Sequence, residues 1–263
     1  MSVSDIQSAV RAHYDRWSYD FDTAQHAPLQ LDRSLLGRAI RAVEPGQVVV
    51  DAGCGTGLVS RLVRERTPAR TVLGVDLSLG SLRRNAERSR GVALAQGDIL
   101  RLPLRSAAAD VVISRGVIMT TGAPERAVAE LARVTRPGGH MYVRVYNRRH
   151  AYRWIYEVFG PVCRAVASVP WGKSLLAVLV VPVFLLVTEL GFLLTSGRFT
   201  RIAPRVGWNF FADQLLTPHN SFHTFEEVET WGRAARCRCV ATQTVTLGQQ
   251  LELLFVKDGP SRA

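Results

Sequence analysis

VVVDAGCGTG, residues 48–57, reads as a buried strand that runs into a glycine-rich turn and then a helix. Val48, Val49 and Val50 are the apolar β-branched run that a strand covered on both faces needs, and Asp51 stands where that strand ends. Gly53, Gly55 and Gly57 follow at alternate positions. Lacking a Cβ, they let the chain turn sharply and let a ligand approach the backbone, while a helix starting near Leu58 aims its free N–H groups at the same place. The spacing is GxGxG rather than the GxGxxG of dinucleotide sites, so the downstream residues decide what the turn holds.

Working outward, TVLGVDLS (71–78) is a second apolar strand ending in Asp76, a carboxylate that suits a ribose diol. A third strand around Val92 to Ala95 leads to Gly97, Asp98 and Ile99, where Asp98 is placed to accept from an adenine amine. ADVVISRG (109–116) is the fourth strand. A helix carrying Val128, Leu131 and Val134 then closes at Arg136-Pro137-Gly138-Gly139 before a fifth strand, His140 to Tyr146. This regular alternation of strand and helix argues for a parallel sheet with helices on both faces.

DAGCGTG, VDLS, GDILRLPL, ADVVISRGV and LARVTRPGG, in that order and spacing, resemble the class I S-adenosylmethionine (SAM)-dependent methyltransferases, particularly the small-molecule branch that includes quinone-biosynthesis enzymes. The likeness covers residues 11–146 and, more loosely, 221–257. It implies an α/β, Rossmann-like, doubly wound seven-stranded sheet of order 3-2-1-4-5-7-6 with its last strand antiparallel, and a helical hydrophobic insertion between strands 5 and 6. It implies SAM as cofactor, with Asp51, Ala52, Gly53, Cys54, Gly55 and Gly57 around its methionine part. Asp76 and Leu77 would then meet the ribose, Asp98 and Ile99 the adenine, and Ser114 or Arg115 the amino-carboxylate.

Residue by residue, blander readings compete. Asp51 and Asp98 are also good turn caps, Cys54 is a small packing residue, and Arg115 could meet a surface acid instead of a ligand carboxylate. HYDRWSYDFD (13–22) resembles the family's tyrosine-containing N-terminal helix, which implies Tyr14, Trp17 or Tyr19 over the methyl-transfer centre; simple packing of these rings is the other reading. His219 and His223 are the candidate bases, because they follow the insertion, where the family's acceptor-side residues lie.

Composition sets outer limits. The 263 residues allow one good-sized core plus an insertion. The net charge of +11, carried mostly by arginine, suits an anionic surface or reflects coding bias alone. The arginines are spread along the chain without a basic block or nucleic-acid motif, so nucleic acid is not the expected partner. Cys237 and Cys239 have no second pair with which to complete a zinc site, so no metal is expected, and four scattered cysteines fit a reduced cytoplasmic protein. MSVSDIQSAV lacks the pattern of a secretory signal.

The expected organisation is N-terminal lid helices (1–40), a SAM-binding core (41–146), an apolar helical insertion (147–220), and a final helix with strands completing the core (221–263). In the insertion, AYRWIYEVFGPVCRAVAS (151–168) reads as an amphipathic helix broken near Gly160-Pro161. SLLAVLVVPVFLLVTELGFLLTSG (174–197) is long enough for a membrane span, though interrupted by Pro182 and Glu189. A single crossing would leave the last strands on the far side of the membrane, so the segment must be a cap, a re-entrant hairpin or an interfacial helix. Arg148, Arg149, Lys173, Arg198, Arg201 and Arg205 flank it and could meet anionic headgroups. Two readings stay open: an apolar lid that touches the membrane through residues 174–195 and admits a lipophilic acceptor, or an ordinary buried cap. Thr224 with Glu227 predicts a capping box, with Phe222 stapled to Val228.

Two functions follow. The first is methyl transfer to a small, hydrophobic acceptor, at oxygen or carbon rather than nitrogen. The second is a membrane-associated binding protein that keeps the fold without turnover; intact glycines and Asp76 favour the first. The sequence leaves the oligomeric state open.

Overall fold

The computed structural model describes residues 1–16, 34–196 and 204–259. Its strands are β1 (Val48–Ala52), β2 (Thr71–Asp76), β3 (Ala93–Gln96), β4 (Ala109–Arg115), β5 (Thr135–Asn147), β6 (Phe222–His223), β7 (Cys237–Val245) and β8 (Gln250–Lys257). They lie in the order β3-β2-β1-β4-β5-β8-β7, with β1 to β5 parallel and β8 antiparallel to both β5 and β7. This is the expected topology with one addition. The two-residue β6 pairs in parallel with the end of β5, at Tyr146 and Asn147.

The helices are α1 (Val3–Arg16), α2 (Leu35–Arg41), α3 (Leu58–Arg66), α4 (Leu79–Arg88), α5 (Pro124–Val134), α6 (Tyr152–Ser168), α7 (Gly172–Leu175), α8 (Val181–Ser196), α9 (Pro204–Phe211) and α10 (Phe225–Ala234). Strand residues alternate between two cores, as a period of two requires. Val50, Val112, Val143 and Leu253 join Leu131 of α5 and Val228 of α10. Val49, Val111, Ile113, Tyr142 and Leu254 join Leu36 and Ile40 of α2 and Val63 of α3. Both faces of the central strands are thus covered, which is why their sequences read as unbroken apolar runs.

Glu252 is buried in β8 yet satisfied: it accepts from the Tyr142 hydroxyl (2.7 Å) and from the Leu35 backbone N–H (2.8 Å), which ties the first turn of α2 to the sheet. At the other end of the chain, the capping box of Thr224 and Glu227 starts α10. The residue before that cap is His223, so Phe222 stands one place too early to form the expected staple. Its ring instead lies 5.7–5.8 Å from those of Tyr146, Tyr152 and Tyr156, beneath the insertion.

The insertion leaves the sheet at the end of β5 and returns at β6, paired with that same end, so its two ends share one side of the sheet. Contrary to the expected break, α6 continues through Pro161. A proline there removes the hydrogen bond to the carbonyl of residue 157, but Glu157 and Pro161 both face solvent, where water replaces it. Tyr156, Gly160 and Cys163, buried on the opposite side, hold the helix in place. A π-helical turn, Leu176–Val180, joins α7 to α8 just before Pro182, which lies inside a continuous helical run without ending it. The module has a small core of its own, formed by Cys163, Leu176, Val181, Phe211, Leu215 and Leu216.

Burial separates the two kinds of leucine in this chain. Leu131→Ala, at a fully buried position, is expected to lower the free energy of unfolding by about 2–5 kcal/mol in urea titrations. Leu186→Ala, on the exposed side of α8, should stay within about 0.5 kcal/mol of wild type.

Candidate functional site

The glycine elbow is held from two sides. Gly53 and Cys54 donate their backbone N–H groups to the Val75 carbonyl (2.7 and 3.1 Å), and Gly55 donates to the Asp76 carboxylate (2.8 Å). The other carboxylate oxygen of Asp76 accepts from the Ser78 N–H (2.8 Å) at the start of α4. Gly53 adopts φ +80°, and a Cβ there would lie 2.3 Å from the Val117 side chain. Gly55 adopts φ +51° with nothing within 4 Å of such a Cβ, so its outer side is open.

A cavity of about 260 Å³ opens from this elbow. Of the residues singled out from the sequence, Asp51, Gly53, Cys54, Gly55, Asp76, Leu77, Asp98, Ile99, Arg115 and Tyr14 line it. Ala52 and Ser114 are fully buried in the sheet outside the lining, with the Ser114 hydroxyl lacking a hydrogen-bond partner, and Gly57 is the N-cap of α3. Trp17 and Tyr19 lie outside the described residues.

Neither candidate histidine lines the cavity. His223 is buried in β6, with Nε2 at 2.7 Å from the Ser221 hydroxyl and its ring edge-on to Trp231. Burial pulls it down to about 4, so it is neutral near pH 7. His219 is also pulled down by burial.

Burial dominates the electrostatics of the wall. Asp51 accepts from the Ser60 hydroxyl (2.6 Å), and its carboxyl is pushed up to about 6 by desolvation, with the Asp76 charge adding to the effect. Asp76 is itself raised by burial. The Cys54 thiol is also raised by burial, which removes the thiolate that a nucleophile would need. Asp98 accepts from Gln7 of α1 (2.7 Å) and from the Leu100 N–H (2.8 Å).

Across the cavity lies a group the sequence reading missed. Asp213, in the π-helical turn Ala212–Leu216 after α9, accepts from the Tyr14 hydroxyl (3.0 Å) and from Gln214 Nε2 (3.0 Å). Gln214 also donates to the Tyr146 hydroxyl (3.0 Å) and accepts from Gln249 (2.8 Å). Burial pushes Asp213 up to about 6, and burial beside Asp213 raises the Tyr14 phenol well above its usual value. The available signal was a carboxylate and an amide inside an apolar run, NFFADQLL (209–216).

A family model described as "Methyltransferase domain" matches residues 50–143, which span the elbow, β2 to β4 and most of β5. Over those residues the chain is similar to class I SAM-dependent methyltransferases. It is similar to a malonyl-[acyl-carrier protein] O-methyltransferase of Serratia marcescens, 37% identical over 133 residues, which are 51% of each chain. It is also similar to a demethylmenaquinone methyltransferase of Renibacterium salmoninarum, 32% identical over 129 residues, 49% of this chain and 50% of that protein. The chain therefore spans about half the length of the curated relatives it matches. In fold it resembles a SAM-dependent methyltransferase of Thermotoga maritima (TM-score 0.55, 16% identical, covering 95% of this chain and 100% of that one).

The cavity fits SAM on its own chemistry. Two buried carboxyls raised by desolvation, Asp51 and Asp76, are stabilised as anions by a bound cation, and SAM carries two positive groups. Arg115, on the same wall, supplies the opposite charge for a ligand carboxylate.

The raised Asp51 has a pH signature. Its folded value of about 6 lies above the ordinary 3.8, so between those values the fold holds a proton that the unfolded chain does not. Stability from this group is complete at low pH and is lost as pH rises through 6. Asp51→Asn should therefore gain stability relative to wild type by about 1–3 kcal/mol between pH 4 and 7, read from urea midpoints at each pH.

Proposed function

We propose that this protein transfers the methyl group of SAM to a small, largely apolar acceptor, at oxygen or at an acidic carbon. The observation that carries the reading is that one cavity is lined both by the elbow with Asp76, Asp98 and Arg115 and by the Tyr14–Asp213–Gln214 cluster. When bound, SAM supplies an electrophilic methyl on a sulfonium that is a good leaving group. The chain's own task is then to align an acceptor, exclude water and take up a proton.

In this reading Asp76 receives the ribose hydroxyls while still bracing Gly55, and Asp98 shares the adenine edge with Gln7. Asp51 faces the amino group and Arg115 the carboxylate of the methionine part. Residues 1–40 act as lid, 41–146 as the SAM core, 147–220 as the acceptor cap, and 221–263 complete the sheet. Asp213 takes the acceptor's proton. Its raised value of about 6 leaves it ionised at pH 7 yet basic enough to assist, and Tyr14 holds its orientation. A carboxylate base suits a hydroxyl or a carbon acid, whereas a neutral amine attacks before it loses a proton, so oxygen or carbon is favoured over nitrogen.

The O-methyltransferase and demethylmenaquinone methyltransferase names of the relatives support the same chemistry. A cavity that keeps both half-sites favours turnover over binding alone. The protein would work on the cytosolic side of a membrane, touching it through residues 174–195.

Calorimetry with SAM tests the cofactor half: Asp76→Ala should weaken binding about tenfold or more, and no binding by wild type at high micromolar SAM would overturn the proposal. The acceptor half is tested with methyl-labelled SAM and lipid extracts. Asp213→Asn should leave SAM affinity intact, lower the transfer rate, and abolish the fall in rate below pH 6.

A further inference from the structure

The exposed apolar surface of this protein is concentrated on the insertion. In α6, Trp154, Ile155, Val158, Phe159 and Val162 follow helical spacing, and all are exposed. In the π-helical turn and α8, Val178, Leu179, Val183, Leu186, Val187, Leu190 and Leu194 repeat the pattern. The turn between the helices adds Val169 and Trp171, the latter 86% exposed. A stretch of 20 residues, Gly172–Gly191, is long and apolar enough to cross a membrane, yet only 11% of its most apolar window is buried.

Chemistry separates the possible occupants. From Ser174 to Leu194 no exposed residue among those described carries a charge, and Glu189 stands half-buried off the exposed stripe. Protein interfaces mix apolar area with roughly one hydrogen bond per 100–200 Å². This stripe offers no polar side chain beyond Ser174 at its start, and a lipid leaflet asks for none. Charge points the same way. Arg149 and Lys173 border the two helices, while Arg148 pairs with Glu227 and Arg153 of α6 with the exposed Glu157, within a chain of net charge +11.

The topology and the turn fix the pose. Both ends of the insertion return to the end of β5, so the helices cannot cross a bilayer once and leave the sheet intact. Driving the turn in first would carry the Lys173 ammonium to the deepest point, where a charge is costly. Lying in the interface, the same lysine reaches headgroups, and Trp154 and Trp171 sit at the depth that tryptophan prefers.

We infer that α6 and the α7–α8 run seat side-on in one leaflet of an anionic phospholipid bilayer, as a monotopic anchor. The module that bears this surface also supplies Asp213 and Gln214 to the cavity. The inference thus extends the reading above to an acceptor drawn from the lipid phase, and it rests on that reading for the acceptor alone.

Flotation of the purified full chain with vesicles tests it, without SAM or acceptor. Vesicles of phosphatidylcholine with 30% phosphatidylglycerol should carry the protein up the gradient, and bromolipids in them should quench tryptophan fluorescence. Leu179→Asp with Leu186→Asp should abolish flotation while SAM affinity by calorimetry stays within twofold of wild type. Three outcomes would overturn the inference: wild type left at the bottom of the gradient, equal flotation on neutral vesicles, or a stable dimer that the same double variant dissociates. Each leaves the calorimetry intact, so failure of the anchor and failure of the methyl-transfer reading are separate results.

Discussion

The hydrogen bond from the Gly55 N–H to the Asp76 carboxylate joins the two pieces of chain on which everything else is built. β1 and β2 pair in parallel with Asp51 beside Gly74 and Ala52 beside Val75, so both strands end at the same level. There the elbow turns back over β2, donating two N–H groups to Val75 and a third to Asp76. A buried carboxylate normally loses stability through desolvation, and the accepted N–H bonds from Gly55 and Ser78 offset part of that cost. The same side chain therefore shapes the elbow and presents a carboxyl group to the cavity. An apolar residue of similar size could pack there, but it would leave the Gly55 N–H without its acceptor.

Around that fixed point, the opposite side of the cavity is assembled from distant segments. Tyr14 comes from α1, Asp213 and Gln214 from the insertion, Tyr146 from β5, and Gln249 from the turn before β8. None of these residues is meaningful alone. Tied in series, they satisfy buried polar atoms that would otherwise each cost about 1–3 kcal/mol. The aromatic cluster of Tyr146, Tyr152, Tyr156 and Phe222 lies at the foot of the insertion, where the hydroxyls of Tyr152 and Tyr156 donate to the carbonyls of Gln214 and Thr217. Position of the cap and position of Asp213 are thus set by the same contacts.

What was legible in the sequence was whatever is written locally. The valine run, the alternate glycines, the acidic strand ends and the capping box at Thr224 each depend on residues within a few positions, and local physical chemistry gives them one meaning. Strand order followed from the resemblance, since pairing of β8 between β5 and β7 is a long-range fact. The histidines looked like bases because they follow the insertion, but β6 pairs with β5 and turns His223 toward Ser221 and Trp231. Asp213 was invisible because its meaning depends on Tyr14, about two hundred residues away. The Gly160-Pro161 step looked like a break because helix propensity is local, whereas the burial of Tyr156 and Cys163 that keeps α6 continuous is not.

The insertion also explains how one module can carry both a polar cluster lining the cavity and a largely apolar exposed surface. Helices bury one face by packing, and here the small core around Phe211 and Leu215 takes the inner faces of α6 and α8. Their outer faces are left with mainly apolar side chains, apart from the exposed Glu157 of α6; each large apolar one forgoes about 1.5–3 kcal/mol available from burial. A soluble cap over a cavity would place polar residues there at no cost to its inner face. On the cavity side Asp213 and Gln214 are hydrogen-bonded, while among the described residues of α8 no exposed side chain is polar. That division of polarity within one folded unit is what the proposed lipid-facing cap requires, and it follows from where each residue sits on its helix rather than from the amount of apolar sequence.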